Sequence, residues 1–233
     1  NNNIITFTNN GDYYLEYITS DNVNITINIE DNVCVQLFEY SNNNDINTNI
    51  TYNLGKNSSL IISKFYYNDN TNEEINIYLN KKNANIKYNF SSISKNHDNY
   101  LINIYHNDST TNSDIFNRTI AKENSSNNFD INSYVENKIL DCYLNQSTKI
   151  ITLGDSNNKI NPNMFTHDNS VTAIHASVIG NVNEEELFYL MSRGISYNEA
   201  IKIIIKGIIL SNINPNMEYR EKILNILEEV GGE

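Results

Sequence analysis

Apolar side chains fall on every second residue over most of this chain. Val23, Ile25, Ile27 and Ile29 do so, as do Ile75, Ile77 and Leu79, then Ile86, Tyr88 and Phe90, then Tyr100, Ile102 and Ile104. A period of two marks half-buried strands. Clusters of Asn, Asp, Ser and Thr lie between these runs and tolerate turn and left-handed backbone. The pattern recurs at roughly ten-residue intervals, which confines this part of the chain to an all-β solenoid, sandwich or barrel.

Glycine chooses among these. Tight hairpins want Asn-Gly or Asp-Gly, yet the chain has 8 Gly and such steps are nearly absent. Strands joined by wider corners, as in a parallel β-helix, fit better. The 48 Asn can stack in ladders along such coils, although Asn-rich four-residue loops could also serve a sandwich. No crisp internal repeat is readable. The wealth of Asn, Ile and Tyr is what an AT-rich genome produces by drift over a fold.

After residue 182 the period becomes helical. Asn183 with Glu186 is a capping box opening Glu184–Arg193, and Gly194 suits the position after it. Ser196 with Glu199 is a second box, followed by Ile201, Ile204, Ile205, Ile208 and Ile209 on one stripe. Ile203 and Leu210 extend this apolar surface, so the helix is expected to lie between two surfaces. Asn214-Pro215 reads as N-cap and first helical residue. Ile223, Ile226, Leu227 and Val230 form a third stripe, ended by Gly231-Gly232.

The net charge of -12 argues against nucleic acid, which needs a basic footprint, and against anionic membranes. No apolar run of about 18 residues offers a membrane span, and the N-terminus lacks signal-peptide character. The chain does not begin with Met, so a targeting segment could have been removed. Phosphate-binding glycine loops, C-x-x-C, H-E-x-x-H and G-x-S-x-G are all missing. Cys34 and Cys142 are read as buried free thiols of a reducing compartment. The Asn-x-Ser/Thr sequons are what 48 Asn produce by chance. His97, His106 and His167 are expected on the surface, and Glu73-Glu74 and Glu184–Glu186 on solvated or capping faces. His175 differs: on a strand it shares a face with Val171, Ala173, Ser177 and Ile179, whose small members leave room beside an imidazole suited to soft metals. A hydrogen-bonded core histidine is the competing reading.

Residues 160–213 carry a resemblance. Ile160-Asn161-Pro162-Asn163-Met164 precedes the strand Val171–Ile179, which holds His175 and closes at Gly180. Then come Glu186-Leu187-Phe188-Tyr189-Leu190-Met191-Ser192-Arg193-Gly194-Ile195-Ser196, Glu199-Ala200 and an apolar helix. This order resembles the C-terminal signature of the SufB/SufD family of iron–sulfur cluster assembly proteins. The resemblance implies a right-handed parallel β-helix over residues 1–182 and a small helical domain over 183–233. It further implies a non-enzymatic scaffold. Its helices would dock a SufC-type ABC ATPase, with Leu187, Phe188, Tyr189, Arg193, Glu199 and Ile205 as candidate contacts. Its β-helix edge would pair with a SufB-like subunit.

SufB-like chains place Glu on both sides of the matching His and carry an upstream Q-C-D-S run. Here the neighbours are Ile174 and Ala176, and the run is Asn145-Gln146-Ser147-Thr148. The pattern is closer to SufD, whose histidine is thought to lie at the cluster-building interface; that role, and a metal contact, pass to His175 alone. Cys142 receives no SufB role. No tightly bound cofactor is implied, only iron or a nascent iron–sulfur cluster at a subunit interface. A bacterial cytoplasm, or a plastid or apicoplast stroma after loss of a targeting segment, is the expected location. Two alternatives stand beside this: a homodimeric scaffold acting without SufB, and an acidic carbohydrate-binding β-helix whose Tyr and Asn line a sugar groove.

Overall fold

A computed structural model describes residues 3–18, 22–167 and 170–230. The chain is a parallel β-helix built from two seven-stranded sheets. One sheet holds β1 (Asn3–Phe7), β3 (Asn22–Ile29), β5 (Asp45–Leu54), β7 (Asn70–Leu79), β9 (His97–His106), β11 (Ser126–Val135) and β13 (Asn157–Thr166). The other holds β2 (Gly11–Tyr17), β4 (Cys34–Ser41), β6 (Ser59–Tyr66), β8 (Asn85–Ser94), β10 (Asn112–Ala121), β12 (Tyr143–Thr152) and β14 (Thr172–Asn181). The chain passes from one sheet to the other at each step, so all neighbouring strands are parallel. The one Asn-Gly step, Asn10-Gly11, starts β2 and makes no hairpin; Asn10 instead accepts from the Cys34 amide at 2.8 Å.

The period of two is the inside–outside alternation of these strands. Ile25, Ile50, Ile75, Ile102 and Ile131 fall in one register column and are all buried in the lumen. Each such burial removes apolar surface worth roughly 2 kcal/mol from water. Asparagines hold the corners. Asn32, Asn57 and Asn83 have φ of 63°, 52° and 59°, a left-handed backbone that Asn tolerates better than most residues. Their amides form a ladder, Asn83 donating to Asn57 at 2.9 Å and Asn57 to Asn32 at 3.0 Å. A second ladder runs Asn163 to Asn132 to Asn103 to Asn76 at 3.0–3.1 Å. Its steps of 31, 29 and 27 residues explain why no fixed repeat is readable. Tyrosines pack between coils: Tyr78, Tyr105, Tyr134 and Phe165 stack on the outer face at 4.8–5.0 Å.

Three helices follow: α1 (Glu184–Ser192), α2 (Tyr197–Asn212) and α3 (Met217–Val230). Both helix starts lie where expected: Asn183 caps α1 by accepting from the Glu185 and Glu186 amides, and Ser196–Glu199 forms a reciprocal capping box. Gly194 has φ of 88°, as a left-handed C-terminal stop requires. The third cap differs from expectation. Asn216, not Asn214, caps α3 by accepting from the Tyr219 amide at 2.9 Å. Asn214 instead donates its amide to Ser63 Oγ, tying the connector to β6. Gly231 and Gly232 lie outside the described residues. The helices pack on the outer face of the second sheet, where Phe38, Tyr40, Phe65, Ile93, Ile120 and Ile151 meet Ile204, Ile205, Ile209 and Ile223. The α2 helix is held between this sheet and its helical neighbours, with Ile203 left exposed.

Three side chains lie where a local reading did not put them. Cys34 is exposed, because Val33, Val35 and Leu37 take the lumen face of the alternation. His106 is buried, since it shares parity with Ile102 and Ile104. Its ring nitrogens meet Thr111 Oγ1 at 2.8 Å and Ser113 Oγ at 3.0 Å, and burial lowers its pKa to about 4. Glu73 is buried, in parity with Ile75 and Ile77. It meets a fully buried lysine, Lys64, at 2.6 Å, and Lys64 also meets buried Glu39 at 3.2 Å. Tyr17 and Tyr52 donate to Glu39, and Tyr66 and Thr48 to Glu73. Burial first, and these carboxylates second, raise the phenol pKa values of Tyr17, Tyr52 and Tyr66 well above the ordinary value, so all three remain neutral donors.

Candidate functional site at the open end of the solenoid

Among the described residues no coil is stacked on the last one. The β14 strand pairs with β12 on one side only, and nearly every residue of it is exposed. Ala173, His175, Ser177 and Ile179 continue the register columns of Leu144, Gln146, Thr148 and Ile150, which are buried lumen residues one rung below. His175 is therefore a lumen-facing residue made accessible by its place at the end of the stack. Ile174, Val178 and Ile179 are about half exposed beside it. The opposite lip is β13, where Pro162 is in register with Ile131. Proline donates no backbone hydrogen bond and suits an edge strand. The end thus presents two unpaired strand edges and an apolar rim, a surface that invites strand pairing with another chain.

Below His175 the lumen turns polar. Gln146 donates to Ser133 Oγ at 2.8 Å and to the Asn163 carbonyl at 3.2 Å. Asn117 donates to Thr148 at 3.0 Å. Parity with Leu144 and Ile150 marks Gln146 as core-facing, a signal that the sequence carried and that a search for metal ligands passes over. Cys142 is buried, as expected, on the same rung as Gln146: its Sγ lies 3.3 Å from Thr111 Oγ1 on the rung below, and its carbonyl accepts from the Thr172 amide at 2.9 Å on the rung above. His97 and His167 are exposed, also as expected. Among the described residues no group of three or more His, Cys, Asp or Glu is placed to hold a metal ion.

The candidate partner-binding residues separate. Phe188 and Tyr189 are 74% and 57% exposed on α1, which has no buried residue at all. The Arg193 guanidinium lies 5.1 Å from the Tyr189 ring. Leu187 is half-buried against the sheet, Ile205 is buried beneath α2, and Glu199 is engaged in the capping box with Ser196. Hydrogen bonds from Ser196 hold the Glu199 carboxyl below its ordinary pKa. Between α1 and α2 runs an open groove of about 600 Å³ lined by Tyr189, Leu190, Ile203, Gly207 and Ile208. None of the described helices is long and apolar enough to cross a membrane.

Residues 6–208 match the family model for the SufBD core domain of the SUF system for FeS cluster assembly. The chain is 25% identical over 134 residues to the iron–sulfur cluster assembly protein SufD of Bacillus subtilis, covering 56% of this chain and 31% of that protein. It is 54% identical over 35 residues to a SufBD family protein of Pyrococcus horikoshii, 15% of this chain and 8% of that one. A SufBD family protein of Galdieria sulphuraria is 44% identical over 46 residues, 20% of this chain and 21% of its own. The matched stretches span less than a third of each relative. The match to the core-domain model covers most of the chain, and on that ground this chain belongs to the SufB/SufD family of iron–sulfur cluster assembly proteins, on its SufD side.

Proposed function

We propose that this chain is a SufD-like scaffold subunit that catalyses no reaction of its own. Its open β-helix end pairs with a SufB-like subunit, and its helical segment from residue 183 onward docks a SufC-type ATPase. The observation that carries this reading is the last coil: two unpaired strand edges, an apolar rim and one accessible imidazole. Pairing there would bury Ile174, Val178 and Ile179 and bring donors of the second chain to His175, where iron or a nascent cluster, as cargo, would be met. Burying the rim removes the half-exposed apolar surface that favours association. The ATPase is assigned to α1 because Phe188, Tyr189 and Met191 are exposed large side chains on a helix that has no buried residue.

The test is size-exclusion chromatography with mass detection, mixing the chain with the SufB-like and SufC-like proteins of its own genome. Co-elution with the ATPase should be lost in Phe188→Asp and retained in the core-neutral Met217→Ser. A chain that elutes alone with either partner would contradict the reading. The same edge supports a second reading, a homodimer. A mass of two chains in the isolated protein, unchanged by the SufB-like subunit, would favour it.

A further inference from the structure

We infer that Gln146 is a positioning residue for His175, fixing which ring nitrogen carries the proton and leaving the other free at the open end. Gln146 is 1% exposed on the lumen face of β12. Its amide nitrogen spends both hydrogens, on Ser133 Oγ and on the Asn163 carbonyl. The second acceptor is a backbone carbonyl, which cannot donate, so the carboxamide cannot be turned over without setting two acceptors against each other. That orientation fixes Oε1, and Oε1 is buried without a hydrogen-bond partner.

A buried acceptor without a donor costs about 1–3 kcal/mol, and such atoms rarely stay unpaired. The register supplies the donor. Gln146 has Ile115 as its neighbour on the rung below and His175 on the rung above. Isoleucine cannot donate. The imidazole can, one rung away at the ~4.8 Å strand spacing. Ala173 and Ser177 flank His175 on the same face and leave the ring free to turn onto Oε1. Once one ring N–H is given to Gln146, the other nitrogen keeps its lone pair and points away from the coil. Histidines that bind metals are commonly oriented in this way through their second nitrogen. The use made of that lone pair rests on the scaffold reading; the fixed tautomer does not.

The test uses the full chain with its histidines labelled with ¹⁵N. Long-range ¹H–¹⁵N spectra at about pH 8 report the tautomer of each ring, and His175→Ala assigns the signal. The expected result is one protonated and one bare nitrogen for His175, with widely separated shifts. In Gln146→Met the two shifts should collapse towards their average. In Gln146→Glu, which keeps an acceptor, the separation should persist. His106, bonded at both nitrogens, must keep its signals, which shows that each variant is folded; Gln146→Leu serves if the Met variant fails this check. An averaged His175 in the unaltered chain, or no change in Gln146→Met, overturns the inference. In cluster assembly with the partner proteins, Gln146→Met should lower yield about tenfold. If His175→Ala leaves assembly intact while the tautomer remains fixed, the scaffold reading fails and the positioning role of Gln146 stands.

Discussion

Lys64 has no exposed surface and lies between two carboxylates that have none either. A buried ion network is costly to break from one side, because the remaining charges lose their only compensation. Lys64→Met should destabilise the fold by about 3–5 kcal/mol, read as a lowered midpoint in urea. Adding Glu39→Gln and Glu73→Gln to it should recover part of that loss; no recovery would mean that packing, and not charge, sets the cost. Two other buried groups govern the acid response. Burial lowers the His106 pKa to about 4, so its share of stability is complete above its unfolded value near 6.5 and is lost as pH falls towards 4. Burial raises the Asp98 pKa to about 6, so its share is present below 3.8 and is lost as pH rises through 6. Between pH 4 and 6 the two oppose each other. In His106→Gln the opposing histidine contribution is gone, so stability should fall more, or rise less, than in the unaltered chain as pH rises across that window. A pH profile equal to that of the unaltered chain would contradict this. These positions were legible by parity: Glu73, His106 and Gln146 each continue an apolar alternation. Glu73 and His106 were misread because residue type was weighed above the face it occupies, since a local reading puts a charged or titratable residue in solvent by default.

At the scale of the element, the strands and helix starts were the easiest to read, because each is set by its own residues. Period two gave the strands, and Ser196 with Glu199 gave the start of α2. The α3 cap at Asn216 was missed because Asn214-Pro215 carries the same local signal. What decided was tertiary: the Asn214 amide is taken by Ser63 on β6. The Asn corners are a further case of local chemistry made useful by stacking. Asn57 holds φ of 52° and bonds the asparagines above and below it. Asn57→Ala should cost about 2–3 kcal/mol, the strain of a left-handed alanine plus two amide bonds. Asn57→Gly keeps the backbone geometry and should cost less. Equal losses in thermal unfolding would show that the ladder matters and the corner conformation does not.

At the scale of the whole molecule, a solenoid buries its coils by stacking them, so its last coil is exposed by construction. No local pattern in Thr172–Asn181 reveals this. The strand reads as an ordinary core strand, and only its order at the end of the sheet leaves His175 accessible. The family resemblance pointed to His175, while the structure supplied the reason for its exposure and the polar rung beneath it. The helices are a second such case. Their apolar stripes were readable, but which faces meet the sheet and which remain open, as on α1, depends on the packing of Ile204, Ile205 and Ile209 against the outer sheet face. Hydrogen–deuterium exchange of the chain with and without its SufB-like partner tests most directly whether the open end is an interface. The amides of Thr172–Asn181 should exchange quickly in the isolated chain and become protected on mixing, while those of β6 and β8 stay unchanged. Exchange in β14 that is the same with and without the partner would contradict it.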